Sequence, residues 1–384
     1  MCEVALSLVL LVGAGLLIRS FANLRGINPG FRSDSVLTAR MALAPARYKE
    51  DAQTTRFFHD AVQRVSSLPG VAAAGAVSFL PFAGLGAATG FTIEGQPAPL
   101  PGQGPVVDAR VCDNGYFAAM SIPLLKGRLF SEREMRERSD VVIVNDALAR
   151  HYFPNQDPLG RRLLIDMMDP VVPTTIVGVV GDVRHVDLAT EPRAMSYWPH
   201  PQLPYGAMTL TIRTGGNPLA LAPAVRHEIQ ALDPEQPLSD VRTMDEWIGK
   251  SLARTRFAWT VLAVFAAMAL VLAAIGIYGV MSYAVSQRTG EIGVRLALGA
   301  IESDIVRMVV GSGIWLTVVG LGAGIGLALL LRRALTALLY GTPGTDPVAL
   351  GGAVVILAAV ATLASYLPAR RAARIEPVRA LRDQ

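Results

Sequence analysis

The chain has 384 residues, of which 52% are hydrophobic and only 17% charged, with a net charge of +4 and a mean hydropathy of +0.40. Soluble domains carry roughly 25% charged residues, so the composition points away from a wholly soluble protein, and the modest, scattered basic charge excludes a nucleic-acid face. Two cysteines far apart in sequence, Cys2 and Cys112, exclude a disulfide framework, and no Cys/His cluster has zinc spacing.

The apolar excess begins at the N-terminus. The stretch VALSLVLLVGAGLLI, residues 4–18, is borderline in length for a membrane span. A signal peptide has basic residues before its apolar stretch and small residues at a cleavage site. Here Glu3 precedes the stretch and Arg19 follows it. Residues 1–23 are therefore read as a first transmembrane helix. Its cytoplasmic end looks clipped, as though the chain starts inside a longer sequence.

Residues 24–250 form one polar block with the pattern of a folded domain. TTIVGVVGDV (174–183) and MTLTIRT (208–214) are β-rich. In the segment 51–71, Phe57, Phe58, Ala61, Val62 and Val65 recur at helical spacing before a Pro-Gly stop. LALAPAVRHEIQAL reads as a second helix, ended by Asp-Pro. Strand–helix–strand units on either side of a middle segment predict an α+β domain with an insertion. GQPAPLPGQGP and WPHPQLPYG read as loops.

Three further apolar runs follow, 257–283, 308–331 and 347–368. A bilayer core of ~30 Å takes about 20 helical residues. The first run would extend roughly 40 Å at 1.5 Å per residue, leaving one end to project as a stalk. Three such runs in so short a stretch would need an implausibly large soluble core. Basic residues fix orientation. Arg288, Arg295 and Arg307 border the segment 285–306, and Arg370, Arg371, Arg374, Arg379 and Arg382 crowd the tail 369–384. Both are predicted to be cytoplasmic, which puts the large domain outside.

Catalytic patterns are missing. Gly249-Lys250-Ser251 echoes a phosphate loop, but Met244 stands where that motif needs its first glycine. His185 lies near Asp182 and Asp187, without a metal-binding pattern around it. The interiors of the three long spans hold no ionisable residue, so no proton relay is visible. Gly320/Gly324 and Gly322/Gly326 have the spacing that lets helices pack closely.

The informative segment is QRTGEIGVRLALGA, 287–300. Glu291 and Arg295 are four apart in the favourable acid-first order, with Ile292 and Leu296 one turn apart beside them and Gly299 ending the turn. This predicts a short amphipathic helix at the cytoplasmic surface, poised to dock a partner.

SQRTGEIGVRLALGA closely resembles the loop after the second span of MacB/FtsX-type ABC transporter permeases, and YLPARRAARIEPVRALR resembles their C-terminal motif. GYFAAMSIPLLKGRLF, VVIVNDALARHYFPNQDPLGRRL and TTIVGVVGDVRH look like the MacB-type periplasmic core domain. The likeness is nearest to the acidobacterial duplicated permeases, and this single unit resembles their second half. The resemblance implies a membrane α-helical protein with four transmembrane helices and a large α+β extracytoplasmic domain. That domain would hold a porter-like part, 35–105 and 206–245, and an inserted subdomain, 106–205. An FtsX-like permease domain would occupy 251–384.

By the same resemblance the chain is a non-catalytic, multi-pass subunit of the bacterial inner membrane with its large domain in the periplasm. It has no cofactor of its own. A separate cytoplasmic ABC ATPase binds ATP and docks on the loop helix, with Glu291, Gly293, Arg295, Gly299 and Ala300 as the ATPase-coupling residues. A second permease unit, membrane lipid and a periplasmic adaptor complete the expected partners. The implied function is transmission of ATPase-driven motion to the outer domain, for export of a substrate. The alternative is a regulatory scaffold that activates a periplasmic cell-wall enzyme.

Overall fold

The computed structural model describes residues 2–84, 86–97, 100, 104–168, 170–298, 301–336 and 346–373. The chain divides into two compact units, Met1–Gly26 with Arg254–Gln384, and Ile27–Ala253.

The Ile27–Ala253 unit is α+β. Four strands, β1 (Val36–Ala42), β2 (Val71–Val77), β10 (Ala207–Thr214) and β11 (Ser239–Thr243), form an antiparallel wing in the order β11-β1-β10-β2. The register sets Ala39 opposite Leu210 and Leu210 opposite Ala76. Six more strands close on themselves. They are β3 (Ala87–Ile93), β4 (Val106–Cys112), β6 (Val141–Asn145), β7 (Arg162–Ile165), β8 (Pro173–Val180) and β9 (Met195–Pro199). The pairings run β4-β3-β7-β8-β6-β9 and return to β4. A short β5 (Leu124–Gly127) adds to β8. Wing and ring meet where Val77 of β2 lies opposite Cys112 of β4.

The hydrophobic pattern explains these layers. Leu37 and Met41 of β1, Leu210 and Ile212 of β10, and Phe57, Phe58, Ala61 and Val65 of α2 (Asp51–Ser66) are buried in one cluster with Val107, Val111, Val142 and Trp198 from the ring strands. Each buried Val, Leu, Ile, Phe or Met among them contributes about 1.5–3 kcal/mol. Val225 and Ile229 of α5 (Ala222–Leu232) join the same cluster, and the helix ends at Asp233. α4 (Asp146–Tyr152) adds Leu148.

One contact joins wing and ring tightly. Asp113 caps α3 (Asn114–Met120): its Oδ1 accepts the amide of Tyr116 at 2.9 Å and its Oδ2 that of Ala76 at 3.1 Å. A Cβ on Gly75 would strike the backbone of Gly115 and Tyr116, so α3 lies on β2 as only glycine permits. Burial pushes the Asp113 carboxyl up to about 7 against the pull of these amides.

Several sequence expectations change in detail. β3 stands on the porter-like side of the expected 105/106 boundary, yet its pairings are with the ring strands β4 and β7. WPHPQLPYG is not wholly loop, because Trp198 and Pro199 end β9 and pair with Val111 and Cys112.

The other unit is helical: α1 (Cys2–Arg25), α7 (Ala253–Gln287), α8 (Thr289–Ala297), α9 (Glu302–Thr336) and α10 (Pro347–Ala373). Among the described residues four helices are long and apolar enough to cross a membrane: Cys2–Leu24, Arg256–Gln287, Glu302–Leu331 and Pro347–Ala373. α1 packs as one of them. Leu8, Val12 and Leu16 are buried against Ala353 and Leu357 of α10, and Ser7 Oγ donates to the Ala269 carbonyl of α7 at 2.9 Å. Arg19 pairs with the buried Asp346, whose carboxylate also accepts the amide of Val348 at the start of α10.

The predicted small-residue spacing is used at Gly324, where α9 presses on Ala5 and Leu8; nothing lies within 4 Å of a Cβ on Gly322 or Gly326. Phe265, Met268, Leu272 and Ile275 of α7 face outward, an apolar surface suited to lipid. The tail expected from 369 opens as helix. α10 continues through Pro368 to Ala373, and residues 374–384, with Arg374, Arg379 and Arg382, lie outside the described residues.

Candidate functional site: an exposed helix between two spans

Within 285–306 the described residues hold the end of α7, the whole of α8 and the start of α9. α7 runs to Gln287, and α8 then restarts as nine residues, with the amide of Ile292 bonded to the Arg288 carbonyl at 2.9 Å. A helix this short is unstable alone in water, so it needs a seat. Ile292 supplies one: it is 1% exposed and clusters with Ile305 of α9 and Ala372 and Ala373 of α10. Val285, Val306 and Met308 pack around them.

The flank beside this seat carries the charge. Arg295 Nη2 donates to Glu291 Oε1 at 2.6 Å, the predicted pair four residues apart, and both side chains are about half exposed (47% and 49%). Arg295 Nη1 also meets the sulfur of Met308. Val294 and Leu298 are exposed beside them. The result is a small platform of one acid, one base and two apolar side chains, held by a buried isoleucine.

Gly293 lies within α8 between the paired residues. Gly299 and Ala300, the other two expected coupling positions, lie outside the described residues. The sequence reading missed the seat. Ile305 was visible only as one apolar residue after a polar cluster, and Ala372 and Ala373 only as small residues among arginines.

Gly249-Lys250-Ser251 occupies the last turn of α6 (Met244–Ser251). A phosphate loop precedes a helix, and the free amides at that helix N-terminus point at the phosphate. Here the helix N-terminus is already closed by Thr243 and Glu246, each bonding the other's backbone amide at 3.2 Å. Among the described residues no cluster of three or more His, Cys, Asp and Glu side chains is arranged to hold a metal.

Four helices able to cross a membrane, an exposed amphipathic helix between two of them and a large α+β domain are the layout of a multi-pass membrane protein with a large folded domain. The family model described as MacB-like periplasmic core domain matches residues 4–227, more than half of the chain, and the model described as FtsX-like permease C-terminal matches 263–377. The chain belongs to the MacB-like periplasmic core domain family, with an FtsX-like permease region after it, and is a membrane protein with a periplasmic domain.

Macrolide export ATP-binding/permease protein MacB 2 of Aeromonas hydrophila is 28% identical over 288 residues, 70% of this chain and 42% of that protein. MacB of Escherichia coli K12 is 27% identical over 293 residues, 72% of this chain and 44% of that protein. The chain thus spans less than half the length of these curated relatives. Among solved structures, the periplasmic region of MacB from Actinobacillus actinomycetemcomitans aligns with 59% of this chain and 95% of its own at 14% identity and a TM-score of 0.39. The extracellular domain of the transporter YknZ from Gram-positive bacteria aligns with 51% of this chain and 91% of its own at 12% identity and a TM-score of 0.33.

Proposed function

We propose that the chain is the permease component of an ABC complex in a bacterial inner membrane, that a separate ATPase docks on α8, and that the movement serves export. The observation that carries this is α8 itself: a helix too short to stand alone, fastened through Ile292 to the ends of two spans, with Glu291 and Arg295 turned outward. A push on such a platform reaches α9 and α10 directly. Only Leu252 separates α6 of the outer domain from α7 in the chain, which gives motion of the spans a short covalent route outward. Export is favoured by the names of the curated relatives, which are macrolide exporters. A second permease unit pairs with this one through the outward apolar faces, with lipid around them and a periplasmic adaptor on the outer domain.

Glu291→Lys tests the docking. It removes a surface pair worth a few tenths of a kcal/mol and sets two cations side by side at the contact, where such juxtaposition costs several kcal/mol. The variant is expected to insert and fold at normal levels but to lose co-purification of the ATPase from native membranes. Wild-type ATPase recovery with Glu291→Lys would make α8 a plain connector.

A further inference from the structure

A cleft of about 250 Å³ opens within the Ile27–Ala253 unit, between α2, β2 and the start of α3. The sequence makes room for it. β2 sets the short side chains of Ala74 and Ala76 under α2, where β10 beside it sets Met208, Leu210 and Ile212. α2 lines the gap with Thr55, Phe58, His59 and Val62, whose intervals of three and four residues place them on one flank of the helix. The far wall is tied down. Asp113 joins α3 to β2 through the amides of Tyr116 and Ala76. Asn114 exchanges two bonds with the backbone of Phe130, at 2.6 and 3.1 Å. Arg128 and the Ser131 amide grip Glu134, which steadies the turn that brings Met135 to the cleft.

The cleft is apolar on one side and carries one uncompensated charge. Phe58, Val62, Ala76 and Met208 line it and give water nothing to bond to. Asp113 lines it too, and among the described residues this carboxylate makes no ion pair. The other ionisable groups at the cleft do not compensate it. Arg136 pairs with Glu132 at 3.3 Å on its own turn, and both are exposed. His200 has its Nε2 3.1 Å from both the amide and the carbonyl of Tyr205, and burial lowers it to about 4, so it is neutral at pH 7. His59 is exposed on α2. Burial pushes the Asp113 carboxyl up to about 7, as expected of a charge that no cation balances.

Size and charge together select a guest. An apolar cavity of about 150 Å³ holds a benzene ring, so this cleft takes a ring with a short chain. A carboxylate has about four lone-pair sites, and the amides of Ala76, Gly115 and Tyr116 bond to Asp113, which leaves room for a further donor. A neutral guest would fill the apolar side and leave the charge unmet. An anionic guest would be repelled. An ammonium donates to the carboxylate and balances it, and such a charge-assisted bond is roughly twice as strong as a neutral one. We propose that this cleft binds a small amine with a ring-sized apolar body, the body lying against Phe58, Val62, Ala76 and Met208 and the ammonium on Asp113. The site belongs to the outer domain and does not depend on what docks at α8.

The test uses the full chain in detergent and three probes of matched shape: 2-phenylethylamine, 2-phenylethanol and 3-phenylpropanoate. Binding is measured by equilibrium dialysis at about pH 8, where Asp113 is ionised and the amine still protonated, with uptake by protein-free micelles subtracted. The amine is expected to bind with a Kd on the order of 0.1 mM, within reach of a ligand of about nine heavy atoms. The alcohol should bind about tenfold more weakly and the carboxylate not at all. Asp113→Asn keeps an oxygen for the α3 cap and should bring the amine down to the level of the alcohol. Val62→Trp fills the cleft and should abolish binding of both. If Asp113→Asn fails to fold, the three probes on the wild type and Val62→Trp decide. No binding of the amine by the wild type, or an amine held no tighter than the alcohol, would overturn the proposal. So would amine binding that is unchanged in Asp113→Asn or in Val62→Trp.

Discussion

Ile292→Ala separates the seat of α8 from its outward charges. The side chain is 1% exposed and is held by Ile305, Ala372, Ala373 and their neighbours. Truncating a buried isoleucine costs about 2–5 kcal/mol, more where the site cannot collapse. The alanines opposite are small and fixed in α10, so little can move in to fill the gap, and ~3 kcal/mol is a fair expectation. That is about a 150-fold shift toward an undocked helix. The nine-residue α8 cannot hold its own hydrogen bonds once undocked. Amide exchange in 289–297 should therefore accelerate about as much, while exchange in 27–253 stays as it was. ATPase recovery should fall even though Glu291 and Arg295 are intact. Wild-type protection of 289–297 in Ile292→Ala would show that the seat does not hold the helix.

Other expectations concern the outer domain. Glu134 accepts two bonds from Arg128 at 2.7 Å and one from the Ser131 amide at 2.6 Å, and its carboxyl is held down to about 2 from an ordinary 4.5. A depressed acid stabilises above its unfolded value and loses that effect as pH falls through its folded one. Allowing for the half-exposed Arg128, Glu134→Gln should cost about 2 kcal/mol at pH 7 and almost nothing near pH 2; a penalty constant across that range, read by denaturant unfolding, would contradict the assignment. Cys112 is fully buried and burial pushes its thiol up, so an impermeant maleimide should leave it untouched on spheroplasts until the domain is unfolded from outside; labelling of the native domain would refute this. Gly75→Ala should destabilise by about 1–3 kcal/mol through its clash with α3, whereas Gly206→Ala, which meets nothing within 4 Å, should leave the thermal midpoint within a degree or two; equal midpoints for the two would remove the argument for tight α3 packing.

Local periodicity made much of this legible. The spacing of Phe57, Phe58, Ala61 and Val65 marks α2, and the Glu291–Arg295 interval marks α8, because both report one helix against its own period. Features that depend on distant partners were hidden. The parallel pairing of Arg110 with Tyr197 has no local trace, so the closed ring of strands could not be read. His185 attracted notice for its neighbours Asp182 and Asp187, but those acids serve elsewhere. Asp182 binds Asn145, Ala147 and Arg150, and Asp187 binds the Thr190 amide. Pro368 looks like a stop in sequence, yet α10 runs through it because Pro368 and Ala369 are buried in the helical unit.

The order in which the strands pair also constrains how the chain is made. β4 ends at Cys112 but finds its parallel partner only when β9, Met195–Pro199, exists, and β1 waits for β10 and β11, whose last residue is Thr243. Pairings between such distant segments form slowly. Until nearly the whole of 27–243 has been synthesised, Val107, Val111 and Val142 lack their covering strands and remain open to misassociation. A nascent chain halted before residue 195 would hold an unclosed sheet with bare edges, the form that chaperones and proteases recognise. Shortening this protein from its C-terminal side, even by removing only spans, therefore matters less to the outer domain than any interruption before Thr243.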